Sequence, residues 1–172
     1  MSLQFTFDQA RLGNVYHAAN QAVVTLSGLS LTQTGLALIN PPGNTKNFHL
    51  LTVTWFSNVA PGGGFNVGLA STVAPINTAP PTTNAVTIYA ANLGKGAGQS
   101  RALATSGATL VGSTPVMVKQ LGGGTSASVG QQGGSYDLDG SIILPPGMSV
   151  ALAFITTADT GMGSMTWVEL PV

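Results

Sequence analysis

The 172 residues include no cysteine, which excludes disulfides and thiolate metal sites. Charge is nearly as scarce. Asp, Glu, Lys and Arg make up 6% of the chain, against about 25% in an ordinary soluble domain, and five acidic residues cancel five basic ones. Arg11, Lys46, Lys95, Arg101 and Lys119 are scattered singly, whereas phosphate-backbone recognition needs clustered cations. No nucleic-acid partner is expected. Apolar runs such as Val150–Ile155 fall far short of the roughly 20 residues that span a bilayer, so no membrane partner is expected either. The opening Met1–Asp8 shows no basic region followed by an apolar run, and the chain contains no Asn-x-Ser/Thr sequon.

Hydrophobic residues reach 44% and glycines number 23. That content argues against disorder and, at this length, predicts one domain able to bury roughly 70% of its unfolded surface. Near-zero net charge favours association. The clearest signal is the stretch 135–156. Ile142, Ile143 and Leu144 form a β-prone run that Pro145-Pro146-Gly147 stops, with glycine placed for the positive φ of a type II turn. Val150, Leu152 and Phe154 then alternate with Ser149, Ala151 and Ala153, the period of a strand. Residues 36–43 repeat the strand-then-Pro-Pro-Gly plan of residues 140–147, through convergent turn chemistry or a duplicated half-sandwich.

Further short β runs are predicted at 22–26, 36–39, 49–56, 65–70, 86–90, 116–121 and 165–170. Loops are expected at 61–64, 74–84, 92–107 and 122–135. Residues 1–21 read as an N-terminal arm with a helical turn capped by Asp8, and residues 22–172 as the β domain. Eight or nine strands and almost no helix predict an all-β, single-domain β-sandwich of jelly-roll type. Its expected core is Leu51, Val53, Trp55, Val150, Leu152 and Phe154.

Chemical motifs are sparse. Asp137 and Asp139 are the one close acidic pair, and alternate strand positions would turn both to a hard cation. Further oxygen ligands are missing, and turn-capping explains them as well. No Gly-x-Ser-x-Gly elbow accompanies His17 and His49. Residues 94–100 are glycine-rich around Lys95 but lack the order of a phosphate loop. Hence no catalytic, cofactor-binding or metal-binding residue is assigned, no cofactor is expected, and the chain is read as non-enzymatic. Contact residues are the remaining candidates. Phe5, Phe7, Leu12 and Tyr16 in the arm, the small face Ser149, Ala151 and Ala153, and Trp167 are expected to meet another chain, aromatics being enriched at interfaces.

Three segments, Phe7-Asp-Gln-Ala-Arg-Leu-Gly-Asn-Val-Tyr-His-Ala-Ala-Asn-Gln21, Asp137-Leu-Asp-Gly-Ser-Ile-Ile-Leu-Pro-Pro-Gly147 and Trp167-Val-Glu-Leu-Pro-Val172, resemble small structural proteins encoded with the head genes of tailed bacteriophages. The resemblance covers both ends of the chain, and the middle by strand rhythm only. It implies a virion structural protein, a capsid cement or decoration protein on the outside of the phage head, with the major capsid protein as partner. It also implies self-association, a homotrimer first, because such proteins sit at three-fold points. The expected location is the virion, after synthesis in the host cytoplasm. A tail, fibre or baseplate component, or a carbohydrate-binding β-sandwich, are the alternatives. None of the three segments carries a catalytic residue across.

Overall fold

The computed structural model describes residues 2–26, 28–57, 65–72, 75, 82–95, 99–109, 115–124, 133–155 and 159–172. The expected loop at 61–64, most of that at 74–84 and residues 125–132 of that at 122–135 lie outside these, while the two ends of the last belong to strands. A helix, α1 (Leu3–Leu12), leads into β1 (Val15–Ala19), β2 (Val24–Leu26), β3 (Thr32–Gln33) and β4 (Ala37–Ile39). Then come β5 (Lys46–Ser57), β6 (Phe65–Ser71), β7 (Thr82–Ala85), β8 (Ile88–Ala90), a 3-10 turn at Leu93–Lys95 and β9 (Leu103–Thr109). The chain closes with β10 (Val116–Gly124), β11 (Gly133–Leu144), β12 (Ser149–Phe154) and β13 (Asp159–Pro171). It is all-β apart from the one short helix.

Among the described residues the strands form two antiparallel sheets. The first runs β11-β5-β13-β1-β8, with β2 also on β13; the second runs β10-β6-β12-β4-β9-β3, with β7 also on β9. The sheets face each other across one apolar core. Leu50, Trp55, Met165 and Trp167 enter it from the first sheet, and Leu69, Leu152 and Phe154 from the second. Trp55 meets Phe154 edge-on at 6.2 Å between ring centroids, a preferred aromatic geometry.

The expected core needs one correction. Thr166 pairs with Thr52 but Trp167 pairs with Leu50, so Leu51 is an extra residue in β5. This bulge reverses the face of everything before it. Leu50 and Phe48 therefore point inward, while Leu51 joins Val15 and Val168 in a small cluster outside the sheet, with Ala10 of α1 packed against it. The boundary of the arm also changes. Val15–Ala19 pairs with both β13 and β8, so β1 is an inner strand of the first sheet, and only α1 lies outside the sheets.

Both Pro-Pro-Gly corners form the same turn. Met148 N–H donates to Pro145 O at 3.0 Å and Asn44 N–H to Pro41 O at 3.2 Å, with Gly147 at φ 85° and Gly43 at φ 79°. One corner carries the chain from β4 to β5, the other from β11 to β12, so each crosses between the sheets. Asn40, fully buried, joins them. Its amide donates to Lys46 O at 2.9 Å and Leu144 O at 2.8 Å, and its Oδ1 accepts from Asn44 Nδ2 at 2.7 Å. Its backbone exchanges bonds with Gly147 and Met148.

Close sheet packing also requires bare glycine at one inner position. A Cβ on Gly163, which pairs with Trp55, would lie 2.2 Å from Leu152 Cδ1. Gly163→Ala should therefore cost about 1–3 kcal/mol through overpacking, read from urea unfolding. Asn40→Ala strands two buried carbonyls and should cost about 2–5 kcal/mol in the same assay. A loss under about 0.5 kcal/mol in the Asn40 variant would show that the corners hold without it.

Candidate functional site

Helix α1 is well capped at both ends. Ser2 Oγ accepts from Phe5 N–H at 3.3 Å. Gly13, at φ 81°, donates to Ala10 O, and Asn14 N–H donates to Gln9 O, the Schellman pattern. These caps hold a helix that buries none of its ten residues. Leu3 is 86% exposed, Phe7 59% and Leu12 66%, the most exposed apolar set on one element. Phe5 is half-buried. Leu3 and Phe7, one turn apart, share a face, while Leu12 lies about 140° round the helix from Phe7. Apolar side chains held in water by these caps are an available contact surface.

The other expected contacts lie elsewhere. Tyr16 and Trp167 are core residues, 1% and 0% exposed, with ring centroids 6.2 Å apart. Ser149, Ala151 and Ala153 are also enclosed. Ala151 packs with Ala37 and Ile39, and every residue of β12 is buried. This corrects the reading of these five as contacts with another chain: the small side chains admit neighbouring parts of this same chain. Of the arm candidates, Phe7 and Leu12 are at the surface and Phe5 partly so.

A polar knot that no motif announced sits at the end of β13. The Glu169 side chain is fully buried. It accepts from Ser100 Oγ at 2.5 Å, from Arg101 N–H at 3.0 and 3.2 Å and from Trp167 Nε1 at 3.4 Å. Lys46 Nζ stands 3.6 Å away. Burial, and secondarily the Glu169 charge, push the Tyr16 pKa up. The glycine-rich stretch 94–100, which lacks the order of a phosphate loop, supplies Ser100 to this internal carboxylate; residues 96–98 lie outside the described set. Parity was the available signal, since Glu169 shares the inward face of Trp167 and so had to be buried.

Asp137 and Asp139 sit in different backbone settings. Asp137 accepts from Thr52 Oγ1 at 3.2 Å, whereas Asp139 and Gly140 take positive φ of 50° and 75° where β11 slips against β5 between Asp137 and Ile142. Among the described residues no group of three or more His, Cys, Asp or Glu could hold a metal ion. His17 pairs with Thr166 and Tyr89, and His49 with Val168 and Ile143, so the two imidazoles occupy different rows. A cleft of about 480 Å³ opens between β10, β11 and β12, lined by Val116, Val118, Ile142, Ile143 and Met148 among others.

Burial lowers the His49 pKa from its usual 6.5, and the hydrogen bond with the Gly140 backbone only partly opposes this. The fold thus favours neutral imidazole, and the unfolded chain protonates first on acidification. That contribution is fully present above pH 6.5 and declines as pH falls through that value toward the folded-state pKa. Urea midpoints measured from about pH 7.5 to 5 should fall less steeply in His49→Gln than in the parent. Parallel curves would remove His49 from the acid response.

No family model matches the chain, and neither a curated protein nor a solved structure does.

Proposed function

We propose that this protein is a non-enzymatic structural protein of a virus particle, a cement or decoration protein that binds the major capsid protein on the outside of a phage head. The observation that carries this reading is α1, a capped helix standing outside the sheets with Leu3, Phe7 and Leu12 in solvent. Its chemistry suits a coat-protein surface. Burying each large apolar side chain contributes about 1.5–3 kcal/mol, and a chain with 6% charged residues has little else with which to grip a partner. A pressurised shell fails where neighbouring coat subunits separate. A protein spanning that seam adds contact energy that must be lost first.

The sandwich itself is, in this reading, a jelly roll. Two features support it: β1, β13, β5 and β11 are neighbours in one sheet, and β4, β12, β6 and β10 are neighbours in the other. Following β1, β4, β5, β6, β10, β11, β12 and β13, the chain changes sheet at every step except β6 to β10. Jelly-roll domains are frequent in viral capsids. Self-association, a trimer first, belongs to the same proposal. It rests on the uncharged surface and α1, since the small face of β12 is enclosed.

Capsid shells lacking the protein, mixed with parent or with the double variant Leu3→Ser, Phe7→Ser, test the mechanism. Parent binding should survive about 1 M salt, where the screening length is about 3 Å and charge pairs are suppressed. The double variant should bind at least about tenfold more weakly, with an unchanged unfolding midpoint because both side chains are exposed. Equal binding would remove α1 from the contact, and loss of parent binding at molar salt would overturn the apolar account.

A further inference from the structure

Beyond the patch that α1 covers, the outer face of the first sheet carries a polar strip. Strand register sets Asp137 of β11, Thr52 of β5, Thr166 of β13, His17 of β1 and Tyr89 of β8 side by side, one residue from each of five strands. Two residues along, Ser135, Thr54, Ser164 and Ala19 form a second row. Their strand neighbours Tyr136, Val53, Met165, Tyr16 and Ile88 belong to the core on the opposite face, and none of the nine residues of the two rows is buried. Four strand spacings make the first row about 19 Å long, and the second lies about 7 Å from it.

The strip holds no lysine or arginine, and Ala19 is its one aliphatic side chain; beyond the second row the exposed Phe56 and Met162 flank it. It offers five hydroxyls, one carboxylate, one imidazole and one phenol. Thr52 Oγ1 donates to Asp137 at 3.2 Å and Thr54 Oγ1 to Ser135 Oγ at 3.3 Å, so these groups are already oriented by short local bonds. At the β8 end the rings of His17 and Tyr89 lie 6.1 Å apart, tilted by 30°, and Tyr89 is 43% exposed.

A phosphate ligand would need cations here, and a lipid or an apolar protein surface would need a broader apolar area than Ala19 and the flanking Phe56 and Met162. The groups present match a chain of neutral hydroxyls. Paired sugar hydroxyls donate to a carboxylate and exchange bonds with Ser and Thr, and the C–H face of a sugar ring packs on an aromatic ring. Recognition sites in general combine apolar area with a few placed polar groups, and Tyr89 with Asp137 supplies both ends of that combination.

We propose that this strip binds a neutral glycan chain lying across the five strands, with one sugar packed on Tyr89 and the far end hydrogen-bonded to Asp137. The row has the reach of an extended tetrasaccharide. The site is separate from α1 and independent of the capsid reading. It would give the protein a hold on polysaccharide.

The test uses the full chain and tetrasaccharides of glucose, galactose, mannose and N-acetylglucosamine, each compared with its disaccharide. Binding is followed by amide chemical-shift changes in NMR up to roughly 10 mM. At least one tetrasaccharide should bind, more tightly than its disaccharide, with shifts confined to the strip. Tyr89→Ala and Asp137→Ala, both at exposed positions, should each weaken that binding by about tenfold or more. Phe7→Ser should leave it unchanged, which separates this site from the capsid contact. Absence of binding by all four, equal affinity for tetrasaccharide and disaccharide, or parent-like binding by both variants would each overturn the proposal.

Discussion

The Asn40 carboxamide is the constraint on which the two-sheet arrangement depends. Each of its two amide protons has a carbonyl partner, in Lys46 and Leu144, and its oxygen is taken by Asn44. Leu144 is 104 residues distant in sequence. A buried amide that misses its partners costs about 1–3 kcal/mol per group, so the site tolerates one relative placement of the corners and penalises all others. Because β4 pairs with β12 and β5 with β11, fixing the corners fixes all four strands. The sheets can then pack closely enough that Gly163 must lack a side chain opposite Leu152.

Polar groups do inside this protein what charges do on the outside of others. Glu169 is buried yet carries bonds from Ser100, Arg101 and Trp167 as well as the Lys46 ion pair. A buried carboxylate is tolerable only when its oxygens are satisfied in this way. Lys46 thus stands by this internal acid through its side chain, while Arg101 reaches it through its backbone and is itself exposed. The surface keeps very few charges with which to attract or repel, which leaves hydroxyl rows and the α1 side chains as its distinguishing chemistry.

How much of this was legible followed from how local each cause is. The turn at Pro145–Gly147 was readable because proline and glycine specify it within four residues. Val150, Leu152 and Phe154 were readable because their period survives undisturbed. Leu51 was misassigned because a bulge is a property of two strands, and nothing within β5 marks where β13 will slip against it. The loop expected at 92–107 overlaps β9 from Leu103 on, since its small residues carry no strand signal and form a strand only through pairing with β4 and β7. Tyr16 and Trp167 were aromatic and so suited an interface equally well. Only the insertion of β1 beside β13 decides that they face each other. The strip across five strands was beyond reach for the same reason, being assembled from five distant segments.

The place of β13 bears on how the protein comes to exist at all. This strand lies between β5 and β1, so the first sheet is divided until residues 159–171 have been made. Before then β5 and β1 carry open edges with no neighbour between them, and Trp55 has no Gly163 beside it. The second sheet has all its strands by Phe154, whereas the first waits on β13, and pairings so distant in sequence form slowly. A chain that lacks β13 would leave β5 and β1 with open, aggregation-prone edges rather than a smaller version of the same fold.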